Sequence, residues 1–440
     1  MYKRIVLIAV FMGIYLLNAQ NPIVQTYFTA DPAPMVYDGT VYVYTTHDED
    51  ETVDNFFTMF NWRCYSTSDM VNWTDHGVVA SLDDFAWSDK TNGAWAPQGI
   101  ERNGKFYLYC PIHGDGVAVL VSDSPTGPFT DPLGHRLVQD SENVWHDIDP
   151  TVFIDDDGQA YLFWGNPRLF FVKLNEDMIS YDRSIGNNGI VAVEMNHEAF
   201  GTHEGRGGQV RTTYTEGPWV YKRNNLYYLV YAAAGIPEYI AYSTAPSIEG
   251  PWTYRGFIME RAPHLAFTNH PGVIDFKGNS YLFYHSHELS GGEGFKRSIC
   301  VEQFEYKPDG TIPLIEPSKE GVSQSVANLD PYQRVEAETI AWSEGLKTAH
   351  NEETGIYVSQ IHNNDYLVVK SVDFGKGAKS FEASVASASA GGNIELYLGG
   401  VDGELLGTLS VENTGGWNKW KSKSCKLKKN KRSARYLFRV

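Results

Sequence analysis

Three acidic residues hold equivalent places in a repeated pattern: Asp31 in ADPAPMVYDG, Asp149 in DIDPTVFIDDDG and Glu216 in TEGPWVYKRN. Carboxyl groups gathered in one place raise one another's pKa and repel, so a structural protein has little reason to collect them. Two acids on opposite sides of a sugar ring, with a water between one of them and the anomeric carbon, make an inverting glycosidase. One must be protonated to hand a proton to the leaving oxygen, and the other ionised to activate water. A third carboxylate nearby can hold the acid's proton through charge repulsion. Taken singly each residue is weak, because Asp-Pro is a frequent turn start. Their common register carries the reading.

That register comes from five copies of one unit: a polar or acidic head, a Pro nearby, a short apolar strand, a turn and an aromatic-rich strand. The copies are DPAPMVYDGTVYVYTTHD, APQGIERNGKFYLYCPIHG, DPTVFIDDDGQAYLFWGN, EGPWVYKRNNLYYLVYAAAG and HPGVIDFKGNSYLFYHSH, with heads at Asp31, Ala96, Asp149, Glu216 and His270. Their turns (Asp38-Gly39, Asn103-Gly104, Asp157-Gly158, Asn224-Asn225, Lys277-Gly278) are mostly the dipeptides that tight hairpins require. A second motif follows several copies, as in YSTSDMVNWTDHG, VLVSDSPTGPFTDPLG and IAYSTAPSIEGPWTYRG, and reads as two further strands. Four strands per unit, repeated at intervals of 53 to 67 residues, predict an all-β, five-bladed β-propeller over 22–317. The five heads then converge on the axis. Helical stretches are almost absent, which argues against a (β/α)8 barrel, and a single large sandwich would not explain repeats in phase. A polar linker is expected over 318–331 and a second, smaller β-sandwich over 332–440.

The N-terminus reads Met-Tyr-Lys-Arg, an apolar run, then Asn18-Ala19-Gln20, the pattern expected of a secretory signal over 1–19. The run is shorter than the ~20 residues that span a bilayer, and no Cys follows it to carry a lipid. A secreted or periplasmic protein with no membrane attachment is expected. Removing Lys3 and Arg4 with the signal takes the formal charge from −18 to −20. So acidic a surface repels phosphate backbones, which disfavours nucleic acid and suits a neutral polymer. The cysteines Cys64, Cys110, Cys300 and Cys425 lack zinc-site or disulfide-scaffold spacing and read as small hydrophobes.

Over about residues 22–317 the chain resembles glycoside hydrolase family 43. ADPAPMVYDGTVYVY looks like that family's general-base segment, DIDPTVFIDDDGQAYLFWG its pKa-modulator segment and TEGPWVYKRNNLYYLVYA its general-acid segment. The resemblance implies Asp31 as base, Asp149 as the residue tuning the acid and Glu216 as proton donor. GGEGFKRSICVEQF resembles the place of a substrate-contacting arginine, here Arg297. His270 in NHPGV matches a histidine that in many members lies at the axis near a metal, often calcium. No cofactor is implied for the chemistry. Trp95 is a candidate for stacking on a sugar face, with a core role as its alternative. Asp147, two residues before Asp149, reads as a supporting residue. The acidic run HDEDE (47–51) reads as a solvated rim loop beside the active site, with a metal-binding run as its alternative.

The C-terminal segment is similar to family 6 carbohydrate-binding modules. VEAE looks like the motif whose glutamates hold a structural calcium, implying Glu336 and Glu338, and Tyr357 and Trp417 are the aromatics expected to stack on sugar. The ending RYLFRV, after KLKKNKRSAR, departs from the usual Gly-rich turn and final strand, so the last strand is expected to be missing or altered and the module incomplete.

Together these features imply an exo-acting hydrolase removing arabinofuranosyl or xylosyl units from plant polysaccharide or its oligosaccharides, such as arabinoxylan, xylan or arabinan. β-Xylosidase and arabinanase activities share the three acids and differ in the loops around them. A propeller lectin would need no convergent acids. A retaining fructan hydrolase would need Asn-Asp-Pro-Asn where this chain has Ala30-Asp31-Pro32-Ala33.

Overall fold

A computed structural model describes residues 20–139, 143, 145–428 and 434–439. The signal expected over 1–19 lies outside the described residues. The fold is almost entirely β, and the one α-helix among the described residues is the four-residue turn His197–Phe200. Five sheets form the propeller. Their innermost strands are Phe28–Tyr37, Gln98–Arg102, Thr151–Ile154, Tyr214–Arg223 and Gly272–Phe276, and each touches its neighbours in cyclic order.

Each inner strand turns back into the next strand where the dipeptides predicted it. Tyr37 pairs with Thr40, Arg102 with Lys105, Arg223 with Leu226 and Phe276 with Asn279, across two-residue turns. In all four turns both central residues have positive φ, for example 45° at Asp38 and 72° at Gly39, as a type I′ hairpin demands. The third blade differs: Ile154 pairs with Ala160 across a longer turn. Between the blades the aromatic strands pack face to face, with Trp62, Trp164, Tyr44, Tyr231 and Phe163 fully buried. Each such side chain contributes on the order of 1.5–3 kcal/mol, which makes a rigid frame able to hold charged groups at its centre.

The expectation of four strands in every unit holds for the first, third and fourth blades, whereas the second and fifth have three. In the second, the segment SPTGPFTDPLG carries three prolines, which cannot donate to a ladder. Its outer position is marked by the isolated pairs Val121 with Thr130 and Val117 with Val138. Beside the fifth blade runs the start of the described chain. Ile23 N–H donates to Ile299 O and Thr29 N–H to Arg297 O, both at 2.9 Å. Residues 21–29 thus close the ring.

The C-terminal region is strand-rich. One sheet orders Trp342–Glu344, Tyr366–Val372, Ala434–Arg439, Gly392–Leu398 and Glu404–Val411, and Ser380–Ser387 pairs with Gly416–Lys426. The last strand, expected to be missing or altered, is present and pairs on both sides, with Tyr366–Val372 and Gly392–Leu398. The polar stretch 318–331 is pinned to the propeller by Ser318 on Glu302 (2.7 Å) and Val326 N–H on Asp69 O (3.1 Å). All four cysteines are free, and three are buried.

Candidate active site

The heads of the inner strands meet at the axis, where Asp31, Asp149 and His270 line one depression with Ala96 and Gly217. Behind the heads stand Pro32, Pro97, Pro150, Pro218 and Pro271, one per blade. Proline has no N–H, so these strands begin without an unpaired donor facing the centre. Asp31 and Asp149 adopt left-handed backbone, with φ 52° and 57°, which Asp tolerates better than most residues. Asp31 sits in a bulge between Ala30 and Ala33, and Glu216 is flanked by irregularities on both sides. Bulges re-aim side chains, and here they turn carboxyl groups out of the sheets and toward the axis.

Asp31 is held from several directions. Arg297 Nη1 donates to Oδ1 at 3.0 Å and Nη2 to Oδ2 at 3.4 Å, while the Thr46 hydroxyl also donates to Oδ2. His270 Nδ1 lies 3.2 Å from Oδ1. Burial alone would raise this carboxyl, but Arg297, His270 and the Thr46 hydroxyl together hold it well below the usual range. His285 is itself pushed down to about 3 by burial and by Arg297, so it is neutral; its Nδ1 accepts the Asp31 N–H at 3.2 Å. Asp31 is therefore an ionised group, as a base must be.

Asp149 is in the opposite state. Its Oδ2 accepts the Gly217 N–H at 3.1 Å and stands 3.8 Å from His270 Nε2. Burial, with the like charges of Glu216 and Asp31 and against the pull of His270, raises it to about 7. Glu216 is the more accessible acid: Oε1 lies 3.3 Å from His270 Nε2, and Oε2 accepts a hydrogen bond from the Asn166 amide. His270 touches all three carboxyls. Burial opposes its charge, but Asp149, Asp31 and Glu216 raise it to about 10, so it is an imidazolium at neutral pH.

Arg297, expected to contact substrate, has its donors turned inward. It is 2% exposed, and its guanidinium reaches Asp31, Thr268 (3.2 Å) and both oxygens of Asp48 (2.9 Å each). A guanidinium has five N–H groups, and Asp31, Thr268 and Asp48 engage them all. Asp48 also corrects the reading of 47–51 as a solvated loop. It ends the strand Thr40–Asp48 and is fully buried; only Glu49–Glu51 lie at the rim. Asp147 accepts from Trp164 Nε1 at 2.8 Å, apart from the three acids. Trp95 is largely buried, stacked on His113 at 3.9 Å, with Trp145 tilted beside it at 5.6 Å. Trp145 is 43% exposed and offers the more accessible aromatic face.

Sequence reasoning missed Asp48, Thr46, Asn166, His285 and Glu238. Glu238 is 1% exposed, its Oε2 accepts the Asn269 N–H at 2.8 Å, and burial and then Glu216 push its carboxyl well up. A glutamate beside a strand start was the only signal it offered.

Among the described residues, the one group of three potential ligands close enough to share an ion is Asp149, Glu216 and His270. One imidazole nitrogen and two carboxylates fall short of the six to eight oxygens calcium takes. Water would have to supply the remaining positions of an ion held there, and no step below passes through a metal. Among the described residues Glu336 and Glu338 belong to no such group. Glu336 pairs with Arg334 at 2.8 Å, and Glu338 is buried against the first blade, its backbone carbonyl accepting from Asp75 N–H at 3.3 Å.

A five-bladed propeller that collects three carboxyls at its axis, one held ionised and one raised to about neutrality, defines a glycoside hydrolase of the propeller class. Residues 19–312 match the glycosyl hydrolases family 43, and the chain belongs to that family. Residues 336–435 match the family 6 carbohydrate binding module. The chain is 35% identical to an arabinoxylan arabinofuranohydrolase of Bacillus subtilis, over 91% of this chain and 85% of that protein. It is 33% identical to one of Paenibacillus polymyxa, over 91% and 68%. A crystal structure of a Bacillus subtilis arabinoxylan arabinofuranohydrolase in complex with cellotetraose superposes with a TM-score of 0.82 at 31% identity, covering 96% of this chain and 94% of that one.

Proposed function

We propose that this enzyme is an inverting, exo-acting hydrolase that removes arabinofuranosyl units from arabinoxylan-like plant polysaccharide, working outside the cytoplasm. Asp31 is the base that activates water, Glu216 donates the proton to the leaving oxygen, and Asp149 keeps that proton in place. The observation that carries the assignment is the clamp on Asp31: Arg297, Thr46 and His270 hold that carboxyl ionised, as a base must be. Of the other two carboxyls around the imidazole, Glu216 is the more accessible to a leaving oxygen, which leaves Asp149 as the modulator. Asp31 and Glu216 face opposite nitrogens of His270, at 3.2 Å and 3.3 Å. An imidazole with a contact distance on each side supports the ~6.5–9.5 Å spacing of inverting enzymes over the ~5–5.5 Å of retaining ones. The arabinose preference rests on the two relatives named for arabinoxylan and on the appended module.

The test is a panel of nitrophenyl glycosides and wheat arabinoxylan with released sugars identified. Arabinose as the main product from arabinoxylan supports the reading. Xylose as the main product would make the enzyme a β-xylosidase on the same three acids.

A further inference from the structure

The C-terminal module touches the propeller along the stretch that closes the ring and leads into Asp31. Gln25 Oε1 accepts the Ser343 N–H at 2.9 Å. The Tyr27 hydroxyl donates to Thr348 O, and the Thr348 hydroxyl donates to Asp75 Oδ2 at 2.6 Å. Asp75 is also held by Arg63 Nη2 at 2.9 Å, and the Arg63 guanidinium lies 3.8 Å over the Tyr27 ring. Strand Thr339–Ile340 extends the first blade as a fifth strand. Ile356 packs where Gly77 has no side chain: a Cβ there would come within 2.6 Å of it.

These contacts differ from a linker crossing. Arg63 and Asp75 are both nearly buried, and a buried ion pair is stable only when its remaining bonding positions are filled. Thr348 fills one of them from the module. The rings of Tyr27 and His47 meet at 5.2 Å, edge to face. Next to Tyr27 stands Phe28, which pairs with Asp48 in the inner hairpin. Thr29 N–H is bonded to Arg297 O at 2.9 Å, and two residues on is Asp31 itself. One short run of chain therefore links the module to the clamp on the base.

We infer that the module's hairpin, Lys347–Asn351 with Gly355–Ser359, braces the active-site wall: by holding Tyr27 it sets segment 28–31 and Asp48 against Arg297. Tyr27 and Thr348 are thus positioning residues for hydrolysis, independent of any sugar the module binds. The inference rests on Asp31 being the base.

The test uses the full-length protein with Tyr27→Leu, Tyr27→Phe, Thr348→Val and Thr348→Ser, on 4-nitrophenyl α-L-arabinofuranoside, which is too small to span both domains. A brace predicts that Tyr27→Phe, which removes the donor to Thr348 O, and Thr348→Val, which removes the donor to Asp75, each lose about fivefold in kcat, and Tyr27→Leu at least as much, with KM within about twofold of the parent. Thr348→Ser, which keeps the hydroxyl, stays near the parent. Amide exchange of residues 28–31 and 46–48, read without substrate, quickens in Tyr27→Phe. Unchanged kcat and unchanged exchange in Tyr27→Phe would overturn the brace, even if the variant melts earlier. If Tyr27→Leu fails to fold, Tyr27→Phe decides the matter alone. A parent inactive on every glycoside would contradict the proposed function instead, while the exchange measurement would still judge the brace.

Discussion

Arg297 grips Asp31 with both terminal nitrogens, Nη1 on Oδ1 at 3.0 Å and Nη2 on Oδ2 at 3.4 Å. The geometry is that of a fork on a carboxylate, which Lys cannot reproduce. Arg297→Lys is therefore expected to weaken the hold on the base while keeping the charge. With Asp31 less depressed, the acid-side limb of the pH–rate profile moves to higher pH and activity near pH 4 falls most. Arg297→Ala leaves two buried carboxylates uncompensated and should lose about 3–5 kcal/mol of stability. Chemical denaturation and a pH–rate series on the Lys variant check both.

Asp149→Asn carries two expectations of different sign. A carboxyl raised to about 7 binds a proton in the folded state that the unfolded chain releases near ~3.9. Parent stability therefore declines as pH rises between those values, and the Asn variant escapes that decline. It should be more stable than the parent at pH 8, by on the order of 2–4 kcal/mol, with the difference gone by about pH 4. Its turnover should drop, and the alkaline limb of its pH–rate profile should move down, because a charge that opposed loss of the acid's proton is gone. Identical alkaline limbs would leave Asp149 a turn residue.

Glu216→Gln should disable hydrolysis of arabinoxylan far more than that of aryl glycosides whose leaving group departs unaided. General acid catalysis contributes about 10²–10⁴-fold, which sets the size of the gap to look for. Equal losses on both substrate types would remove Glu216 from the acid role.

Gly217 has φ 56°, and a Cβ there would lie 2.9 Å from the His270 ring. Gly217→Ala is both strained and in collision with the imidazole that touches all three acids. Activity should fall by at least about tenfold while the propeller stays folded, since the strand beyond keeps its pairing. Circular dichroism and kcat on one preparation separate the two effects.

The repeat made the three acids legible, because shared register is visible in a sequence even when spatial convergence is not. The type I′ turns were legible for the same local reason: Asn, Asp and Gly tolerate positive φ. The partners of those acids were not. Arg297 could be placed but not given its task, since Asp48 and Thr268 reach it from distant parts of the chain. Asp48 was hidden in a run of acids that looks solvated, and only its place at the end of a buried strand turns it inward. Asn166 and Glu238 lie in loops whose course is set by tertiary packing. The short outer edges of the second and fifth blades follow from prolines and from the ring closure, which no local pattern announces.

In the proposed mechanism Asp31 and Glu216 work from opposite sides of the sugar with water as the nucleophile. Proton NMR of the first product formed from an aryl α-L-arabinofuranoside, followed before mutarotation, tests it most directly. Inversion predicts β-arabinofuranose as the first signal, with Asp31→Asn inactive but folded. The Asn variant is the cleaner probe, because Ala at φ 52° would add strain and strip a partner from Arg297. Appearance of the α anomer first, or a glycosyl group trapped on Asp31, would contradict the account.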